Sequence, residues 1–467
     1  MPSRSPRPLF VAILVVYALL AILFAARTPA WQAPDEPAHY NYIQQVRDGM
    51  LVPVIQQGDW DSAYLNQLKS ERFAPETLDR LADVEYEDHQ PPLYYWLSAP
   101  VFLLTNGNLF TLRLLSIAWG LVTLIMTFRI ARLVFPTREN VALGAMALVA
   151  FLPQHLMILS SVNNDALAGA VLSYLLYLCL RYRLFADVTP TRLGVMLGVV
   201  IFTKTTIYFM AAVIVLAVVL RWLATKDAWT HSQYAMGATL DENGKRMVVT
   251  KSPLPLLWQP LLMIAIIAGL FALAWFGRNI NVYGFPDILG LRAHDAIVVG
   301  QPRTSDLIAR VGFGNYVGQL VTTTFQSYWG QFGWMAVPMI NVFAEGEALP
   351  YGWVGVVLLL ASAGLFAGYP TVGSKVVITS EQRDVRRILL SVLALSILVF
   401  AYYNTQFVQF QGRYLFSALI PFGIYVLAGL EALFVRLRQP RLLFIVLAIF
   451  ALLDFYLIWR VLPGALG

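Results

Sequence analysis

Asp35 and Glu36 form a pair of adjacent carboxylates between Pro34 and Pro37, shortly after an apolar stretch over residues 9–26. A charged side chain at the centre of a bilayer costs about 3 kcal/mol, so we expect the pair at a membrane surface. A carboxylate held there can accept a proton from a hydroxyl group. Asp35 and Glu36 are therefore candidate catalytic residues. The alternatives are an ordinary helix-end acid for Asp35, and a supporting or solvent-exposed position for Glu36.

Further ionisable residues lie where the sequence predicts helices to begin or end on the same side of the membrane. They are His89, Arg113, Asp165, Lys204, Arg278 and Arg413. Cations can stabilise a phosphate leaving group, and a carboxylate can take the proton of an acceptor. The set suits a reaction that joins an activated anionic lipid to a nucleophile, such as sugar transfer from a polyprenyl phosphate. Asp165 is a third catalytic candidate, and the imidazole and the cations are candidate substrate-binding residues.

Several of these residues have a second interpretation. Asp165 follows two asparagines and would serve as the N-cap of the next helix. Lys204 and Arg413 would snorkel to lipid headgroups. His89 would be a turn residue ahead of two prolines. The sequence leaves these alternatives open.

The composition places these residues in a polytopic membrane protein. Hydrophobic residues make up 58% of the 467-residue chain and charged residues 13%, with a mean hydropathy of +0.64. The single cysteine, Cys179, lies in an apolar run, which excludes a disulfide framework or a thiol metal cluster. The net charge of +6 is explained by basic cytoplasmic loops and does not indicate nucleic-acid binding.

A span length of about 20 residues predicts about eleven transmembrane helices in a single integral membrane domain, 1–467. The predicted spans are 9–26, 110–134, 140–161, 166–185, 191–204, 206–223, 255–276, 351–369, 388–403, 412–435 and 442–461. A short apolar segment over residues 91–104 opens with two prolines and is predicted as a partly immersed outer helix. The halves of the chain show no internal repeat.

Every second connection between the predicted spans is basic, which fixes the predicted orientation by the positive-inside rule. The basic residues are Arg129, Arg132, Arg138, Arg181, Arg183, Arg192, Arg221, Lys226, Lys245, Arg246, Lys251, Lys375, Arg383, Arg386, Arg387, Arg436, Arg438 and Arg441. The N-terminus and loop 224–254 are predicted to be cytoplasmic. Acid-rich loop 28–110 and loop 277–350 are predicted to be extracytoplasmic, at the outer face of the plasma membrane.

Together, the ordered motifs resemble the integral-membrane glycosyltransferases of the GT-C superfamily, which includes protein O-mannosyltransferases and the aminoarabinose transferase of lipid A. The motifs are Asp35-Glu36, the HQPPLYY run over residues 89–95, Arg113, Asn164-Asp165 and Thr203-Lys204. The runs SYWGQFGW over residues 327–334 and QGRYL over residues 411–415 resemble a group of bacterial polytopic proteins found among surface-glycan genes.

The resemblance implies a GT-C-like helical bundle that transfers a sugar from a polyprenyl-phosphate donor to a glycan, lipid or protein acceptor, with inversion. Asp35 would be the general base, and Lys204 and Arg413 would lie near the donor phosphate. Asp165 and His89 would orient the acceptor or hold a divalent cation. The alternatives are a transporter or flippase for a lipid-linked glycan, or a non-catalytic scaffold.

The aromatic residues of the 327–334 run also have two interpretations. They are Tyr328, Trp329, Phe332 and Trp334. Aromatic residues are enriched at both membrane interfaces, which would make them an interfacial belt. The alternative is a platform for a sugar ring.

Overall fold

The chain is almost entirely helical in a computed structural model, which describes residues 7–185, 187–236, 256–339, 349–367 and 379–466. The first helices are α1 (Arg7–Arg27), α2 (Glu36–Arg47), α3 (Ser62–Ser70), α4 (Leu93–Leu104), α5 (Leu109–Val134), α6 (Glu139–Ala150), α7 (Pro153–Leu159), α8 (Asp165–Leu184), α9 (Pro190–Thr203) and α10 (Met210–Met236). The later helices are α11 (Trp258–Tyr283), α12 (Leu291–Ile297), α13 (Thr304–Val311), α14 (Phe313–Trp329), α15 (Leu349–Ala367), α16 (Ser380–Gln406), α17 (Leu419–Arg436), α18 (Leu442–Tyr456) and α19 (Leu462–Ala465).

Short 3-10 helices cover Pro75–Asp83, Thr205–Ile207 and Gly412–Ala418, and a π-helical turn covers Leu457–Val461. Among the described residues the strands are limited to β1 (Gln331–Phe332) and β2 (Val337–Pro338), which pair antiparallel. The prediction of an all-α polytopic membrane protein is confirmed.

Helices occupy all eleven predicted spans. Within the described ranges, eight helical segments are long and apolar enough to cross a membrane, and the bent pair α6 and α7 would make a ninth. The remaining two predicted spans, α9 and α15, are helical but have shorter apolar stretches. Basic residues Lys245, Arg246, Lys251 and Lys375 of the predicted inner loops lie outside the described residues.

The bend between α6 and α7 measures 65°. Pro153 lacks a backbone N–H and occupies the first turn of α7, where that donor has no partner in a helix. Helix α7 is followed by a buried loop over residues 160–164, which leads into α8. The loop brings two asparagines and Asp165 to one end of the bundle.

Close backbone packing joins α15 and α17. A Cβ atom added at Gly364 would lie 1.9 Å from the carbonyl oxygen of Gly429, and one added at Gly429 would lie 2.1 Å from that of Ala361. Small residues allow such close approach in membrane bundles, where packing drives helix association.

The two long connections predicted to be extracytoplasmic pack against each other at one end of the bundle. The indole N–H of Trp60 donates to the carbonyl of Val299 at 2.8 Å, and that of Trp334 donates to the carbonyl of Trp31 at 2.9 Å. Residues from both connections share a small hydrophobic core. The connections therefore form one layer over the ends of the helices.

Helix α4 has the length expected of an immersed helix. Its 12 residues extend about 18 Å, short of the roughly 30 Å of hydrocarbon in a bilayer. Leu103 and Leu104 near its end are 63% and 83% exposed. Partial immersion of α4 in the membrane stays a prediction. The exposed leucines at the end of α4 would then contact lipid.

Candidate active site

Asp35 immediately precedes α2 in a left-handed backbone conformation, with φ of 65°. Aspartate tolerates this region better than most residues because its short polar side chain can bond locally. The carboxylate accepts a hydrogen bond from the Tyr86 hydroxyl at 2.8 Å and another from Nη2 of Arg413. Asp35 and Arg413 are 378 residues apart in the chain, so the fold alone creates this ion pair.

The environment of Asp35 favours its ionised form. Burial would raise the pKa of the carboxyl group, but the positive charge of Arg413 opposes burial and holds the pKa below its usual value. Hydrogen bonds from Arg413 and Tyr86 act in the same direction. Asp35 is therefore a carboxylate at neutral pH and can accept a proton.

A second ion pair, between Asp165 and Lys204, lies beside the first. Lys204 Nζ donates to Asp165 Oδ1 at 2.5 Å and to Asn164 Oδ1 at 2.6 Å. Arg413 Nη1 lies 3.8 Å from Asp165 Oδ2 and so joins the two pairs. We call these four residues, Asp35, Arg413, Asp165 and Lys204, the charged row.

The charged row is neutral as a set and largely shielded from water. The side chains of Arg413 and Lys204 are 4% and 10% exposed, and those of Asp35 and Asp165 are 19% and 24% exposed. Because the dielectric constant is low in such a site, its charges act strongly on a bound anion. The more accessible carboxylates are the ones that an incoming substrate can reach.

A cleft leads from the charged row into the bundle. Asp165, Arg413 and Tyr414 line it together with the apolar residues Val149, Ile158, Leu159, Ala168, Leu172, Ile207, Phe416, Leu419 and Ile420. The cleft therefore combines charges with an apolar wall. This arrangement suits a ligand with an anionic head and a hydrocarbon tail.

Glu36 and Arg113 form a separate, closed ion pair, so the geometry supports a structural role for both. Glu36 accepts hydrogen bonds from Arg113 Nε at 2.8 Å and Nη2 at 2.6 Å, and from the backbone N–H groups of Val162 and Trp31. The glutamate side chain is 0% exposed. Both of its oxygens therefore already have hydrogen-bond partners. The pair ties α1, α2, α5 and the 160–164 loop together.

Arg278 joins the two long connections that cover the helix ends, and its contacts do not include the charged row. Its guanidinium donates to the backbone carbonyls of Val52 and Pro53 and contacts the ring of Tyr283. The Asn279 side chain accepts from it at 3.0 Å. These contacts support a role for Arg278 in holding the two long connections together, not in binding substrate.

His89, the first residue of the 89–95 motif, lies apart from the charged row. Its Nδ1 lies 3.2 Å from the carbonyl of Tyr86, and its ring contacts that of His294 in a tilted arrangement with centroids 4.4 Å apart. Burial lowers the pKa of His89, so the ring is neutral. Asp165 instead contacts Lys204 and Arg413, so the structure gives no support for a cation held by Asp165 and His89 together.

The structure contradicts the alternative interpretations of five residues. Asp165 is the first residue of α8 and Asn164 precedes it without a side-chain capping bond, so Asp165 is not the cap. Lys204 and Arg413 are buried in ion pairs and do not snorkel. Trp329 and Phe332 are 2% and 0% exposed in the hydrophobic core, so they form neither an interfacial belt nor a sugar platform.

Sequence reasoning missed several uncharged or weakly charged neighbours of the charged row. Nδ1 of His39 lies 2.9 Å from the Tyr95 hydroxyl, and Asn164 donates to that hydroxyl at 3.5 Å. Burial lowers the pKa of His39 to about 3, so its ring is neutral at physiological pH. The signal for Tyr86 and Tyr95 was their position around the 89–95 motif.

Glu87 is a further carboxylate close to the row. Burial and the negative charge of Asp35 raise its pKa to about 7. We did not select it from sequence because loop 28–110 is rich in acids.

Comparisons with known proteins give two kinds of match. A family model described as dolichyl-phosphate-mannose-protein mannosyltransferase matches residues 89–240, about a third of the chain. That stretch includes His89, Arg113, Asp165 and Lys204. No curated protein matches the chain by sequence.

Among solved structures, ArnT from Cupriavidus metallidurans in the apo state matches with a TM-score of 0.51 and 15% identity, over 94% of this chain and 62% of that chain. The chain has an ArnT-like fold. ArnT from the same organism bound to undecaprenyl phosphate gives a TM-score of 0.38 at 15% identity, over 91% of this chain and 77% of that chain. At 62% coverage, this chain spans less than two thirds of apo ArnT. The expectation of a GT-C-like helical fold is confirmed, and the likeness extends to the fold alone.

Proposed function

We propose that this ArnT-like protein is a GT-C glycosyltransferase, which transfers a sugar from a polyprenyl-phosphate donor to an acceptor outside the cytoplasm. The observation that carries the proposal is the charged row beside the apolar cleft. Two cations and two carboxylates from four distant segments meet where an amphiphilic anion would bind. The description of the matching family, which names a dolichyl-phosphate mannose donor, supports the same substrate class.

The donor phosphate is expected between Arg413 and Lys204. Both cations pair with carboxylates, and the donor phosphate would offer Arg413 two oxygens for a bidentate contact. Tyr414 and the apolar residues of the cleft would then cover the start of the lipid chain. The cations would also stabilise the phosphate as it leaves.

Asp35 is the proposed general base. The acceptor hydroxyl loses its proton to Asp35, its oxygen forms a bond with the anomeric carbon, and the bond from that carbon to the phosphate oxygen breaks. The products are the glycosylated acceptor and the polyprenyl phosphate. With one base and no carboxylate assigned as nucleophile, the attack inverts the configuration at the anomeric carbon.

Donor binding would make Asp35 a stronger base. The charge of Arg413 offsets the effect of burial and holds the pKa of Asp35 low, and a low pKa weakens a base. When the phosphate shares the charge of Arg413, that effect on Asp35 decreases. The ion pair with Arg413 would thus keep Asp35 a weak base until the donor binds.

The charged row lies at the ends of helices and not in their middle. Asp35 precedes α2, Asp165 begins α8, Lys204 follows α9, and Arg413 is the second residue of a 3-10 helix. A transporter for a lipid-linked glycan would instead place such charges near the bilayer midplane, between paired halves. The positive-inside pattern of the sequence supports a position of the row at the outer face of the plasma membrane, where nucleotide sugars are not the expected donors.

Replacement of the base tests the proposal. Asp35→Asn should lower kcat by about 100- to 10,000-fold, the usual contribution of a general base, and leave donor KM unchanged or reduced because Arg413 loses a competing anion. The assay is transfer from a radiolabelled polyprenyl-phosphate sugar, beginning with mannose, in membranes that contain the full chain and supply acceptor. Asp48→Asn is the matched control, since Asp48 is 51% exposed and its ion pairing in the described part of the chain is with Arg47 alone.

Wild-type kcat in Asp35→Asn would overturn the assignment of the base. A rise in KM alone would mean that Asp35 positions Arg413 and does not accept the proton. Absence of transfer by the wild type with every polyprenyl-phosphate sugar tested would contradict the proposed function itself.

A further inference from the structure

Three carboxylates from the first long connection converge away from the charged row. One oxygen each from Asp59, Glu85 and Asp88 lies within 4.8 Å of the other two. Asp59 and Asp88 are 4% and 1% exposed, and Glu85 is half-buried. Two opposite ligands of a calcium ion, each about 2.4 Å from it, are also about 4.8 Å apart. The three oxygens therefore fit around one ion.

No basic side chain pairs with these acids in the described part of the chain. The carboxylate of Asp59 accepts from the backbone N–H of Gln56 at 2.7 Å, and Oδ2 of Asp88 accepts from the Gln45 amide at 2.9 Å. Oδ1 of Asp88 is buried without a hydrogen-bond partner among the described residues. Such an oxygen costs free energy unless something binds it.

We propose that Asp59, Glu85 and Asp88 bind a hard divalent cation, Ca²⁺ in preference to Mg²⁺. The donor set consists of carboxylate oxygens, which suit Ca²⁺, Mg²⁺ and Mn²⁺ and disfavour soft metals. A buried site with three carboxylates favours Ca²⁺ because Mg²⁺ demands shorter, octahedral bonds and keeps several waters. The Gln45 amide would orient the Asp88 carboxylate.

The cation would fix the segment that supports the base. The backbone N–H of Glu85 donates to the carbonyl of Asp59 at 3.1 Å, and that of Asp88 donates to the carbonyl of Glu85 at 3.0 Å. Tyr86, between the two ligands, donates its hydroxyl to Asp35. Binding of the ion would hold the segments around Asp59 and Glu85 together and position the Tyr86 hydroxyl.

Terbium luminescence tests the site directly, without any transfer assay. Tb³⁺ prefers the oxygen ligands of Ca²⁺, and Trp60 and Tyr86, with ring centroids 5.2 Å apart, lie next to Asp59 and can sensitise it. Purified full chain, stripped with EDTA, should bind one Tb³⁺ that Ca²⁺ displaces at a lower concentration than Mg²⁺. Its thermal unfolding temperature should rise with Ca²⁺ concentration.

Asp88→Asn and the milder Glu85→Gln should each weaken Ca²⁺ competition by about 100-fold or more, since even second-layer changes cost 10- to 100-fold. Asp83→Asn is the matched control, because Asp83 lies nearby but pairs with Arg80. Unchanged Ca²⁺ affinity in both variants, or no stoichiometric Tb³⁺ binding by the wild type, would overturn the site. Both readouts stand even if the proposed sugar transfer is wrong.

Discussion

At the scale of the residue, two neighbouring acids have opposite surroundings. Glu36 turns into the protein and meets Arg113, whose N–H groups all have acceptors: both Glu36 oxygens and the carbonyls of Ala25, Thr28 and Pro29. Asp35, with its left-handed backbone, meets Arg413 in the charged row. One peptide unit thus separates a structural anchor from the proposed base.

Loss of the anchor is expected to destabilise the fold. Glu36→Gln leaves the Arg113 charge buried without its counter-ion, and breaking a buried pair in this way costs about 3 to 5 kcal/mol. The yield of monodisperse protein and the thermal unfolding temperature in detergent should both fall. Glu71→Gln, at an exposed site, is the control. Normal stability with a large loss of kcat would return Glu36 to the catalytic residues.

The cations of the charged row are expected to bind the donor phosphate. Charge-assisted hydrogen bonds contribute about 1.5 to 3 kcal/mol each, so Lys204→Gln and Arg413→Gln should each weaken use of the donor by about 10- to 150-fold. Arg413→Lys should recover part of the loss, because an ammonium group cannot form the bidentate contact. Donor titrations that give kcat and KM separately are the measurement. Wild-type values in both glutamine variants would place the phosphate elsewhere.

At the scale of the element, the 3-10 helix Gly412–Ala418 sets the position of Arg413. The backbone N–H of Gly412 donates to Oγ of Ser327 on α14 at 2.8 Å. A Cβ atom at Gly412 would lie 2.3 Å from the backbone nitrogen of Tyr328. The glycine permits contact between the two backbones, and this contact brings Arg413 to Asp35.

A single methyl group at Gly412 should therefore disrupt the site. Gly412→Ala forces the 3-10 helix away from α14 and should reduce donor affinity, transfer rate and stability together. Gly318→Ala on α14 is the matched control, because a Cβ atom there meets nothing within 4 Å and alanine favours a helix. Parallel transfer assays and thermal unfolding measure both effects. Wild-type behaviour of Gly412→Ala would show that the close approach is not needed.

At the scale of the whole molecule, the proposed function depends on sidedness. In a Cys179→Ala background, cysteine at Asp61 or Gln301 should react with an impermeant maleimide in intact cells, whereas cysteine at Arg386 should not. Asp61 belongs to the layer that the two long connections form over the helix ends, and Arg386 belongs to the basic start of α16. Asp61 is 38% exposed, so access will not limit labelling. Reaction at Arg386 from outside would invert the topology and make nucleotide-sugar donors possible.

The sequence by itself determined the fold class and the positions of the predicted spans, and it supplied the members of the charged row. Apolar length specifies a helix wherever water is absent to bond the backbone, and charges at helix ends stand out against apolar surroundings. Asp35, Asp165, Lys204 and Arg413 were selected on that basis together with Glu36, His89, Arg113 and Arg278. The structure brings the first four together and places the other four elsewhere.

Only the tertiary structure decided which charges pair. Asp35 and Glu36 are adjacent and chemically alike, and nothing local indicates that one meets Arg413 and the other Arg113. The turn at Asp35, the bend at Pro153 and the close contact at Gly412 create those pairs from segments up to 378 residues apart. Contacts of this kind depend on how helices pack. The type of a residue and its spacing in the sequence therefore do not predict which distant residue it pairs with.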